Sequence, residues 1–124
     1  MSLIGITGCD SKKEKPLTDN PFLEASTLPF QAPDFANIQD EDFIPAFKEG
    51  IRLQREEIKA ITDNKEAPTF ENTIIPLEKS GAMLGRVSSV FFKLVSADGT
   101  DARREIETEA SKMLTDWDNA VSYT

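Results

Sequence analysis

Residues 69–92, "TFENTIIPLEKSGAMLGRVSSVFF", decide the fold. Phe70, Ile74, Leu77, Gly81, Leu84, Ser88, Phe91 and then Val95 recur at three- and four-residue spacing, which is one face of a helix. Thr69 stands where a capping oxygen is wanted, with Pro68 before it. The spacing predicts a single helix over 69–97, about 43 Å long at about 1.5 Å per residue. Gly81 and Ser88 are the small members of this seam, and each lets a neighbouring backbone come close. Ser88 is therefore read as packing rather than as a nucleophile. Pro76 is the misfit: it removes the hydrogen bond to Asn72 and predicts a kink in the first two turns.

Outward from this helix, the pattern repeats on both sides. Asp40, Glu41 and Asp42 open a first helix, where free N–H groups and the dipole favour negative charge. Consecutive carboxylates on a first turn point in different directions, so the triplet is not a metal site. Ile44, Phe47, Ile51, Gln54, Ile58 and Ile61 give it one apolar face with a single polar break. Pro45 is early enough to be tolerated. "TDNKEAP", residues 62–68, forms the turn. "SADGTD", residues 96–101, forms the next, with Gly99 free to take a positive φ and Thr100 or Asp101 as cap. Ala102, Ile106, Ala110, Met113, Trp117 and Val121 mark the buried face of a third helix, with Trp117 as a packing anchor. The expected fold is all-α: a three-helix up-down-up bundle over 40–62, 69–97 and 101–122, its short connections making neighbours antiparallel. The helical pattern still runs at Thr124 with no C-cap, the expectation being a truncated chain.

Residues 16–38 carry Pro16, Pro21, Pro29 and Pro33, which forbid a regular helix, interleaved with Phe22, Leu28, Phe30 and Phe35. They predict an extended strap that lays these apolar side chains on the bundle.

Composition narrows the chemistry. The 124 residues suit one domain, and 39% hydrophobic with 29% charged residues fits a globular chain rather than a disordered one. The net charge of −8 argues against a nucleic-acid partner. There is no histidine and one cysteine. A catalytic zinc site built on His, a Ser-His-Asp triad and a Cys-His pair are all excluded, as is a disulfide within the chain. No catalytic and no metal-binding residue is expected here. Residues 1–19 are read as a residual leader and polar tether, and 20–124 as the helical segment. Ile6-Thr7-Gly8-Cys9 resembles the lipobox of bacterial lipoproteins, with "DSKKEK" as the tether after it. The stretch before it is too short for a full signal peptide. The motif makes Cys9 the expected lipidation site and the bacterial cell envelope, periplasmic or outer-membrane associated, the expected location.

Three stretches, "NPFLEASTLPFQAPDFANI", "DEDFIPAFKEGIRLQREEIKAI" and "PTFENTIIPLEKSGAMLGRVSSVFF", together resemble the N-terminus of the bacterial peptidyl-dipeptidases. These are thimet-oligopeptidase-like zinc metallopeptidases, and the resemblance covers about residues 20–120. It implies a much longer, almost wholly helical enzyme of two lobes around a channel. It also implies zinc held by an H-E-x-x-H helix and a distant Glu in the C-terminal half, and removal of dipeptides from oligopeptide C-termini. None of those catalytic positions falls in the matched stretches. The implied role is a non-catalytic wall of one lobe, with the remainder of the parent peptidase as partner and oligopeptides as the parent's substrates. The alternative is a free-standing helical interaction module without peptidase activity. Around the second seam, Ile75, Val87, Val90, Phe92 and Leu94 wrap much of the helix in apolar surface. Two helices and a strap cannot cover all of it. The isolated chain is therefore expected to self-associate as a homodimer, with Phe91, Phe92 or Trp117 near the contact.

Overall fold

The computed structural model describes residues 16–122; Cys9 and the lipobox-like motif lie outside them. Among the described residues there is no β-strand, and the long elements are helical, as the seams require. Helix α1 runs Phe43–Thr62 after a 3₁₀ turn at Asp40–Asp42. The Gln39 N–H donates to Asp42 Oδ2 at 2.8 Å, which fixes the start. Phe43, Ala46, Phe47 and Gly50 form its buried stripe, with Ile51, Leu53 and Ile58 packed at the edge. The stripe thus begins one residue earlier than the expected face.

The expected helix over 69–97 is broken in two. Thr69 does cap its start: its Oγ1 accepts from Asn72 N–H at 3.0 Å, and its own N–H donates to Asn72 Oδ1 at 2.7 Å. A π-helical turn, Phe70–Ile74, then leads into a short helix α2, Ile75–Lys79. Pro76 stands at the start of α2, where its missing N–H costs little, so the kink is absorbed by the wide turn. The interruption comes at Ser80, four residues later. Ser80 is extended, its N–H returning to Pro76 O at 2.9 Å, and Gly81 takes φ 75. Helix α3 restarts at Ala82 and ends at Ala97. Gly81 acts as a left-handed joint rather than as a small member of a continuous seam.

Helix α4 spans Asp101–Ser122, with Thr100 Oγ1 accepting from Arg103 N–H at 3.3 Å. Gly99 does not take the positive φ open to it; a Cβ there would lie 2.8 Å from Val95 O, so closeness is what it supplies. Helix α1 packs most extensively on α3 and next on α4. At the centre, the Phe43 ring meets Phe91 edge-on at 4.8 Å and Phe22 at 5.5 Å, and Phe47 meets Phe91 at 5.6 Å. Phe43, Phe47 and Phe91 are fully buried, each contributing roughly 1.5–3 kcal/mol of transfer free energy.

The expected packing of the strap is corrected. Of the four strap residues, only Phe22 is buried; Leu28, Phe30 and Phe35 are exposed. A second 3₁₀ turn at Pro29–Gln31, with Phe30 at φ 58 and Gln31 at φ 55, lifts the middle of the strap off the bundle. Of the residues expected near a dimer contact, Phe91 and Trp117 are buried within the single chain and Phe92 is half-buried.

Candidate functional site

The chain brings polar side chains together in three places. It has no histidine, and among the described residues no group of three His, Cys, Asp or Glu side chains is placed to hold a metal. The zinc implied by the resemblance does not fit these residues, which offer it no ligand set. Cys9, the one expected site residue, falls outside the described part.

Three arrangements hold the surface in shape. The first is the latch of the strap. Asn20 is buried; its Nδ2 donates to Asp42 O at 2.8 Å, and its Oδ1 accepts from Phe22 N–H at 3.0 Å. Arg86 on α3 donates from Nη2 to Phe22 O at 2.9 Å, while its Nε is buried without a hydrogen bond. Beyond the latch the lifted strap and α3 enclose an open cleft of about 510 Å³, with Ser26, Leu28, Phe30, Arg86 and Lys93 in its walls.

The second is a lock among three helices. Gln54, the polar break in the α1 face, accepts from Trp117 Nε1 at 2.6 Å. The same side chain lies against Gly81, where a Cβ would come within 2.5 Å of Nε2. The Arg55 guanidinium sits 5.2 Å from the Trp117 ring centroid. A shallow depression of about 280 Å³ adjoins it, between Lys48, Ile51, Met113 and Asp116.

The third is ionic. Arg103 Nε bonds Asp40 at 2.9 Å and its Nη1 bonds Asp98 at 3.1 Å, tying the base of α4 to the start of α1. Hydrogen bonding to Asp40 comes first among the causes that raise the Arg103 pKa, against burial, which lowers it. On α1, hydrogen bonds from Arg52 hold the Glu49 carboxyl below its usual value, and partial burial opposes this.

The sequence signalled Gln54 as a break in an apolar face and Trp117 as an anchor, but not that they meet. Asn20, Gly50 and Arg86 carried no periodic signal.

No family model matches the chain. A dipeptidyl carboxypeptidase of Salmonella typhimurium is 43% identical over 105 residues, covering 85% of this chain and 15% of that protein. A dipeptidyl carboxypeptidase of Escherichia coli is 43% identical over 104 residues, 84% of this chain and 15% of that one. Oligopeptidase A of Escherichia coli is 28% identical over 102 residues, 82% of this chain and 14% of its own length. The chain thus spans about 15% of the length of the curated relatives it matches.

Proposed function

We infer, from the premise that the chain corresponds to the N-terminal region of a peptidyl-dipeptidase of the thimet-oligopeptidase family, that it is a non-catalytic helical part of such an enzyme. The whole protein would remove dipeptides from the C-termini of oligopeptides. The observation that carries this is the 43% identity to two proteins named dipeptidyl carboxypeptidase over nearly the whole folded segment. The absence of histidine supports a division of labour: this segment supplies packing, and any zinc ligands and water-activating base come from elsewhere in the longer protein. Its partner is the remainder of that peptidase.

The same reading includes a tether. Cys9, after Ile6-Thr7-Gly8, is the residue to be lipidated, with residues 1–19 as leader and spacer and the folded part from 20 onward. The protein is then held at the bacterial cell envelope. Membrane partition of a precursor with a complete leader, compared with its Cys9→Ala variant, tests this; equal partition rejects the anchor.

The enzymatic reading is tested with an oligopeptide substrate. The 124-residue chain with added zinc should release nothing above buffer, whereas a product of the relatives' length should release C-terminal dipeptides. Turnover by the short chain that is lost on chelation would falsify the non-catalytic role.

A further inference from the structure

Helix α2 and the π-helical turn before it are rotated so that their more apolar side faces solvent. Asn72, Thr73, Ile75 and Pro76 are half-buried on the inner side. Phe70, Ile74 and Leu77 lie outside, 60%, 41% and 48% exposed. Their spacing of four and three makes one stripe on one face. Had the helix run unbroken into α3, these three would share the buried seam of Leu84 and Phe91, because fourteen residues separate Phe70 from Leu84 and make about four turns. The extended Ser80 and left-handed Gly81 cancel that alignment. At the joint Ser80 donates from Oγ to Leu77 O at 2.7 Å and from its N–H to Pro76 O at 2.9 Å, and the start of the segment is held by the reciprocal Thr69–Asn72 bonds. The outward aim of the stripe is thus built in by hydrogen bonds at both ends.

We propose that the Phe70–Ile74–Leu77 stripe is an intramolecular docking surface, covered in the longer peptidase by an apolar helix face of the same polypeptide. The proposal rests on the reading of the chain as part of such a peptidase. Size selects this occupant. With side chains of roughly 150–200 Å² each, the stripe presents on the order of 250 Å². A stable interface between separate molecules takes about 800 Å² per partner, so a second copy has too little to hold. A covalently continuous segment meets the stripe at an effective concentration in the millimolar range and needs no such area. The relatives supply the length: the chain matches only 15% of them, leaving most of their polypeptide to provide the cover.

Thiol accessibility tests this. Ile74→Cys is made in a Cys9→Ser background, and its maleimide labelling rate is measured in the 124-residue chain and in a chimera. In the chimera the chain replaces the matching segment of the Salmonella relative. Labelling at least tenfold slower in the chimera is expected, with Lys79→Cys, exposed and on the far side of the helix from Ile74 and Leu77, labelled at the same rate in both. Equal rates at Ile74→Cys overturn the docking surface. Equal protection of Lys79→Cys overturns its assignment to the stripe. Protection in the short chain that disappears on dilution assigns the stripe to a second copy instead, which also overturns the proposal. Dipeptide release by the chimera is read separately and judges the enzymatic reading alone: a chimera that shields Ile74→Cys but cleaves nothing leaves the docking surface standing.

Discussion

Trp117 on α4 donates its indole N–H to Gln54 on α1 at 2.6 Å, and the same Gln54 side chain closes over Gly81 at the α2–α3 joint. One amide therefore touches both α4 and the break between α2 and α3.

Gly81→Ala should strain this arrangement twice. The backbone at φ 75 costs a non-glycine residue about 1–2 kcal/mol. The new Cβ would also push the Gln54 amide away from Trp117. The far end of a glutamine moves easily, so the direct clash is relieved by giving up that hydrogen bond. Trp117 is the only tryptophan in the chain, so its fluorescence reports the loss. A thermal midpoint lower by roughly 4–8 °C per kcal/mol and a shifted emission maximum are expected. Gly81→Asn, which tolerates the left-handed region, should fall less far. An unchanged midpoint in Gly81→Ala would show that the joint is not held in this geometry.

The other helical glycines should respond in opposite directions. A Cβ on Gly50 would lie 2.9 Å from the Leu84 Cα, which is backbone and cannot step aside. Gly50→Ala therefore separates α1 from α3 and should cost about 1–3 kcal/mol, as overpacking does. Gly85 sits on the exposed face of α3 with nothing within 4 Å of a Cβ. Gly85→Ala should stabilise by up to about 1 kcal/mol through helix propensity. Urea melts of the two variants check the signs, and a shift of the same sign in both would contradict this packing.

What could be read in advance follows from what periodicity encodes. The seams gave the helices at 43–62 and 101–122 within a few residues, because a buried stripe repeats at 3.6. They could not give the break at Ser80–Gly81. Phe70 to Val95 remains in phase across it in sequence, and the approach of Gln54 to Gly81 is visible only in three dimensions. Pro76 looked like the breaker because a proline is the strongest local signal, yet its place at the start of a short helix made it harmless. In the strap, composition marked apolar residues without saying which met the core. Asn20 and Arg86, which decide that, bind backbone atoms rather than side chains and leave no pattern in sequence.

The acid response should trace to carboxylates alone, because there is no histidine to titrate between about pH 5 and 8. Hydrogen bonds from Arg52 depress the folded-state pKa of Glu49 below its usual 4.5. The sign follows from linkage. The contribution is fully present above the unfolded value and is lost as pH falls through the lower folded one. Glu49→Gln should thus be less stable than the parent near neutrality, modestly because Arg52 is well exposed, and the two midpoints should converge on acidification. Thermal melts from neutral pH down to about pH 3 measure the gap. A gap that widens toward acid would reverse the assigned shift.

Phe22 and Phe30 stand eight residues apart in the same strap and should behave as opposites. Phe22 is 4% exposed, packs on the Phe43 ring, and has its backbone bound by Asn20 and Arg86. Phe22→Ala removes a ring from a fixed socket and should cost about 3–5 kcal/mol. It should also free the strap, so that a protease cuts before Phe43 at concentrations that spare the parent. Phe30 is fully exposed and sits at φ 58, a conformation in which a bulky side chain is strained. Phe30→Asn removes no packing and places a residue that accepts the left-handed region. Its stability should match the parent within about 0.5 kcal/mol or exceed it. Composition treats the two phenylalanines alike, and a reading of the strap as uniformly laid on the bundle requires both variants to lose stability. Paired melts that show a comparable loss in both would return Phe30 to the core and remove the cleft between the lifted strap and α3.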